Sequence, residues 1–344
     1  LLYFVPFFII INYGSSQNVD TFSVYYSLFN SFVAMALGLT TSVKYFGAKN
    51  EEGAIQLEAI LLCVIISLVA SLLYYMSMET RIPIGIHNDY VAYLFLLAIP
   101  TVSLFYFIAS VNESSLKVAS NNQSNSISLL VFIATLVVLE YFLGNILYSV
   151  CFGFLITRVI MLLVLFIKSD ILSMPARSPN FNLIKKIILH GAPITLLFFA
   201  QKYIQTEGLL HISKDGGSVS LFQMILTISL LFNLYSNAVS TNGFIKISKK
   251  PGSVNITNYF LYSILMCLWV FVILIFVFEF SNGSLLKSLV SQEVLFNQLI
   301  ELKYSVYFFI ASDMLFVIAI FYSRGVGDNF RVQCLWVISI ILGY

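Results

Sequence analysis

The chain has 344 residues and a formal net charge of +2, and is 59% hydrophobic, 16% aromatic and only 10% charged. Its mean hydropathy is +0.93, whereas ordinary soluble domains carry about 25% charged residues. A soluble globular domain is excluded, and the small net charge without a basic run gives no footprint for a nucleic-acid partner.

Taken in order, the apolar runs predict helices of membrane length. The first, 1–13, is incomplete; then come 21–46, 54–77, 90–111, 127–143 and 146–167. After a polar connector containing Pro175 and Pro179 follow 187–212, 219–244, 257–280, 304–322 and an incomplete 330–344. These spans are about twice a barrel strand's length and lack strict alternation, so helices are expected rather than strands. The fold class is therefore an all-α polytopic membrane protein. Both ends fall inside apolar runs with no initiator Met, so a fragment of a longer protein is expected.

Basic residues test the segment count. If the first segment runs outward, one side collects Lys44, Lys49, Lys117, Lys168, Arg177, Lys185, Lys186, Lys246, Lys249, Lys250, Arg324 and Arg331. The other side holds Arg81, Lys214, Lys287 and Lys303, while Arg158 and Lys202 lie inside helices. The positive-inside rule then makes the first side cytoplasmic. The expected location is the cell (inner) membrane, with linker 169–186 in the cytoplasm.

A coarse repeat accompanies this topology. The second and eighth segments end in basic, Gly-containing turns, and the fourth and tenth are followed by small polar hairpins, 112–123 and 323–329. An even number of segments separates each pair, which is the parallel type of transporter repeat with a site between the halves. The expected division is an N-lobe at 1–168, a linker at 169–186 and a C-lobe at 187–344.

Asp313 stands out, about nine residues from either end of its apolar run. At about 1.5 Å per residue that is roughly 13 Å of helix on each side. It would lie near the midplane of a ~30 Å hydrocarbon core. An acid there faces a bundle interior and has a partner, as a structural group or as an ion or proton site. The seventh segment is the most polar, with Gln201, Lys202, Tyr203, Gln205, Thr206 and Glu207. Such a helix must line or pack within a polar interior, although Lys202 and Glu207 also suit an ion pair or snorkelling. In the first half the only deeply placed acid is Glu140, which Arg158 could pair with across a short turn.

Cys63, Cys151, Cys267 and Cys334 each sit in an apolar run and read as small buried hydrophobes. His87, His190 and His211 form no ligand-spaced cluster, so no metal site is expected. No enzyme signature or nucleotide-binding loop is present, which leaves an ion gradient or a separate ATPase as the energy source for any pumping.

Three motifs carry a resemblance. The stretch Gly38-Leu39-Thr40-Thr41-Ser42 leading to Phe46-Gly47-Ala48-Lys49-Asn50-Glu51-Glu52-Gly53-Ala54 resembles the end of the second helix of multidrug and toxic-compound extrusion (MATE) transporters. Gly191-Ala192-Pro193 resembles the start of that family's seventh helix, and Arg324-Gly325-Val326-Gly327-Asp328 the turn after its tenth. The resemblance implies twelve helices, about eleven of them present here, in two six-helix lobes related by pseudo-two-fold symmetry. It implies alternating-access efflux of organic cations or drugs in exchange for H⁺ or Na⁺, without a cofactor, by a monomer in the lipid bilayer. NorM-type members carry a carboxylate eleven residues before the turn's Arg, the spacing of Asp313 and Arg324. A seventh-helix Glu would fall near Gln201 and a first-helix Asp near Ile9, and this chain has neither. Asp313, Glu207 and Gln201 are therefore the expected coupling residues, with Gln205, Lys202, Tyr203 and Glu140 around the substrate. The alternatives are a lipid-linked oligosaccharide flippase of the same superfamily, whose members tend to have cationic cavities, and a non-transporting or degenerate membrane protein.

Overall fold

The computed structural model describes residues 4–49, 55–115, 118–169, 178–214, 218–249, 256–279, 287 and 293–325. These form α1 (Val5–Tyr13), α2 (Ser16–Lys49), α3 (Gln56–Arg81), a 3-10 turn at Ile84–Ile86, α4 (Asp89–Ser114), α5 (Val118–Leu143) and α6 (Ile146–Lys168). Then follow α7 (Phe181–Lys214), α8 (Val219–Lys249), α9 (Ile256–Glu279), α10 (Glu293–Glu301) and α11 (Lys303–Gly325). Among the described residues nine helices are long and apolar enough to cross a membrane, and none forms a strand. The expected last segment 330–344, connector residues 170–177, and turn residues 50–54, 250–255 and 326–329 lie outside the described residues.

The outer faces are apolar, as lipid contact requires. Outward faces carry Ile65, Leu68 and Leu72 on α3, Leu130 and Val137 on α5, and Leu265, Trp269 and Val272 on α9, all exposed. The buried residues of α2 include Thr21, Ser23, Ser27, Ser31, Thr40, Thr41 and Ser42. Several of these hydroxyls return to their own helix, as Ser31 Oγ donates to Ser27 O at 3.1 Å and Thr41 Oγ1 to Gly38 O at 2.7 Å. A side chain that bonds its own backbone needs no partner from lipid, which allows polar groups at this depth.

Helix ends have local causes. Asn88 Oδ1 accepts from Val91 N–H and starts α4; Asn145 Oδ1 accepts from Leu147 N–H at 3.1 Å and starts α6. Between α5 and α6, Gly144 takes φ +57°, a left-handed conformation that glycine adopts without a Cβ penalty. Asn180 caps α7 through Leu183 N–H, and its own N–H donates to the fully buried Glu58 on α3 at 2.9 Å. That anchor makes α7 begin at 181 rather than the expected 187.

Two further elements differ from what hydropathy predicts. Helix α5 begins at Val118, about two and a half turns before 127, because Asn121 bridges to α4. Its Nδ2 donates to Ala109 O at 3.0 Å and its Oδ1 accepts from Asn112 Nδ2 at 3.1 Å. The polar hairpin is therefore mostly helix. Hydropathy does not mark α10, a nine-residue helix held by Leu295 and Leu299, four apart and both buried.

Packing divides the described residues into two compact units: 4–23 with 218–325, and 24–214. In the first, α8 packs on α9 and α11, α9 on α11, and α10 on α8. In the second, α3 packs on α4, α4 and α5 on α6, and α7 on α3. Its centre is an aromatic cluster of Tyr26, Phe29, Phe95 and Phe154, with Phe29 and Phe95 centroids 5.3 Å apart. The first unit takes in α1 and the start of α2, and the second takes in α7. For α7 the reason lies along its contact with α2.

Candidate functional site

The α2–α7 contact joins two motifs that are about 150 positions apart in the sequence. A Cβ added to Gly38 would collide with the backbone of Thr195, and one on Gly191 would come within 2.8 Å of Leu39 Cδ2 and Ser42 Oγ. Two glycines thus let the helices approach closely. One turn on, Ser42 Oγ lies 2.9 Å from His190 Nδ1, and the His190 ring stacks on Tyr45 at 4.6 Å. Further along, Ser31 Oγ and Thr206 Oγ1 are 2.8 Å apart, and Phe32 meets Phe199 at 5.7 Å. The Gly-Leu-Thr-Thr-Ser and Gly-Ala-Pro motifs are two sides of one helix crossing.

The polar run of α7 meets α2 at Thr206 and the end of α3 at Tyr203 and Glu207. Gln205 is buried and accepts from Lys202 Nζ at 2.9 Å, so the ammonium is held by an amide one turn away. Gln201 is half-buried. The ring of Tyr203 stands 5.2 Å from that of Phe199, with the Arg81 guanidinium 5.2 Å from its centroid. Glu207 forms an ion pair with Arg81 at the end of α3, and the two side chains are 40% and 45% exposed. Of the two readings open for Glu207, the ion pair is the one formed. At that exposure it contributes about 0–1 kcal/mol to stability.

Glu140 stands apart from this set. It is half-buried near the end of α5, with Oε2 buried and without a hydrogen-bond partner. No ion pair joins it to Arg158 among the described residues. Arg158, 3% exposed, instead lies over the Phe154 ring at 4.7 Å and reaches Met161 Sδ at 3.8 Å.

Asp313 belongs to the other unit, on the α11 face that meets α8. It is 7% exposed. Its Oδ2 accepts from Ser229 Oγ at 2.6 Å and from Asn233 Nδ2. Both donors are neutral, and they sit four apart on one face of α8. Asn233 turns its Oδ1 to a buried position where it has no hydrogen-bond partner. A carboxylate inside an apolar helix interface is a group able to exchange a proton or a small cation. Ser229 and Asn233 are not among the expected site residues, although their i, i+4 spacing in an apolar helix is a usable signal.

No protein-family profile matches the sequence, and no curated protein does. The fold is nevertheless shared with solved structures over nearly the whole chain. A MOP superfamily transporter from Pyrococcus furiosus, whose binding pocket of reverse polarity suggests a different function, matches with a TM-score of 0.79 at 14% identity, over 99% of this chain and 82% of that one. An outward-facing multidrug resistance MATE transporter of the MOP superfamily matches at 0.75 and 16%, over 99% and 81%. A eukaryotic MATE transporter matches at 0.73 and 13%, over 99% and 81%. At these identities the likeness is one of fold.

Proposed function

We propose, from the premise that this multi-pass membrane chain has the MATE transporter fold, that it is a secondary active transporter exporting organic cations in exchange for H⁺ or Na⁺. The observation that supports this best is Asp313, a carboxylate buried in a helix interface and held by Ser229 and Asn233. Such a group binds and releases the coupling ion as the protein alternates between two states. Only a difference in its affinity between those states moves the equilibrium. The coupling ion is the sole cofactor in this reading, and the protein acts as a monomer. Glu207 stands second as a coupling group, since Arg81 already neutralises it. Gln201, Gln205, Lys202, Tyr203 and Glu140 are proposed as the residues around the substrate.

A second reading, translocation of an anionic lipid-linked oligosaccharide, is favoured by the deeply buried Arg158 and by Lys202 on α7. The two separate in proteoliposomes under an imposed proton or sodium gradient. Ethidium-like lipophilic cations are expected to be exported and anionic lipid-linked sugars ignored. Sugar translocation without dye export would overturn the first reading.

Orientation in the inner membrane follows from the lysine asymmetry. With the native cysteines replaced, Ser15→Cys and Asn282→Cys are expected to react with an impermeant thiol reagent applied to intact cells. Asn50→Cys and Ser253→Cys are expected to stay unlabelled, as they share the cytoplasmic side with linker 169–186. Outside labelling of Asn50→Cys would reverse the topology.

A further inference from the structure

Below Asp313, the face of α8 carries more polar groups than its packing uses. Asn233 Oδ1, Asn237 Oδ1 and Ser240 Oγ are each buried without a hydrogen-bond partner, and Ser240 is 0% exposed. They stand at i, i+4 and i+7, which keeps them on one side of the helix. Ser236, between them, is satisfied: its Oγ donates to Phe232 O at 3.2 Å and accepts from Cys267 Sγ at 3.4 Å. At the far end Tyr322 OH and Ser263 Oγ are 2.8 Å apart, and a Cβ on Gly243 would collide with that tyrosine hydroxyl.

Asn233 meets Asp313 and Gly243 meets Tyr322, ten positions along α8 and nine along α11. The helices therefore run parallel and in register for roughly 13–15 Å. Polar groups recur along that whole length.

Buried polar atoms are nearly always satisfied, by protein or by water, and lipid offers nothing to bond. Orphaned oxygens one turn apart are spaced for bridging waters, which need two to four polar partners each. We infer that this face of α8, from Asn233 through Asn237 and Ser240 to Tyr322, is a hydrated track connecting Asp313 with the cytoplasmic ends of α8 and α11. Water in it carries the coupling ion between Asp313 and the cytoplasm. The role as ion path rests on the reading of Asp313 as coupling site; the hydration does not.

The test uses the full-length protein in inside-out vesicles, with Cys63, Cys151, Cys267 and Cys334 replaced. Asn237→Cys and Ser240→Cys are compared with Leu234→Cys, which is exposed on the same helix. The probe is a small, charged methanethiosulfonate. Its reaction requires the thiolate, which forms only in contact with water, so positions 237 and 240 are expected to react at least about tenfold faster than 234. Equal rates would overturn the track. Should a cysteine variant fail to accumulate, a water-soluble carbodiimide applied to the same vesicles replaces it. Labelling of Asp313 is then expected to fall in Asn237→Leu/Ser240→Ala, and unchanged labelling would overturn the proposal. Neither readout requires transport, so a dry track and a non-coupling Asp313 give different results.

Discussion

Asp313→Asn is expected to abolish gradient-driven export while the protein inserts and accumulates at the wild-type level. The amide occupies the same volume, and its Oδ1 can still accept from Ser229 Oγ and Asn233 Nδ2. What it loses is the ability to take up and release a proton or to neutralise a cation. Substrate binding without pumping is therefore expected, read as dye retention in cells at vector level against preserved dye binding to purified protein. Asp313→Leu separates structure from coupling. It strands two buried donors, at a cost of about 1–3 kcal/mol each, and should reduce accumulation as well as transport. Wild-type pumping by Asp313→Asn, with unchanged pH and sodium dependence, would make Asp313 structural and move the coupling role to Glu207.

Replacing Gly38 is expected to have the largest effect on stability. The atom a new Cβ would strike is Thr195 backbone rather than a side-chain tip, so rotamer changes cannot relieve the clash. Overpacking of this kind costs about 1–3 kcal/mol or more, and here it also loosens the Ser42–His190 and Ser31–Thr206 contacts that follow along α2 and α7. Gly38→Leu should exceed Gly38→Ala. Gly85→Ala is the control, because a Cβ there meets nothing within 4 Å. Thermal unfolding in detergent, followed by retention of a monodisperse peak, should place Gly38→Ala well below Gly85→Ala. Equal midpoints would mean that α2 and α7 do not approach as closely as described.

Some features were legible early for local reasons. The motif glycines Gly38 and Gly191 were visible in the sequence, but their purpose was not, since the sequence does not say that α2 and α7 cross there. Asp313 was legible because an acid in a long apolar run is costly wherever it lands. Its partners were hidden because Ser229 and Asn233 lie some eighty positions away on a helix with many small polar residues. The sequence places Glu207 on α7 and Arg81 in an outer loop, and only the end of α3 brings the two together. The early start of α5 was missed because hydropathy registers apolar runs, while Asn121 extends the helix through bonds to α4.

The sequence by itself determined that this chain is a bundle of membrane-length helices. In lipid each segment must satisfy its own backbone hydrogen bonds, so apolar length alone specifies a helix. It also marked where charge is too costly to be incidental. Only the tertiary structure decided which helix faces meet: α7 against α2, α11 against α8, Arg81 beside Glu207 and Asp313 beside Asn233. Those choices depend on how each helix is rotated about its axis. Between apolar helices in lipid that rotation is set by close packing and interhelical hydrogen bonds rather than by hydropathy, and both come from residues far apart in the chain.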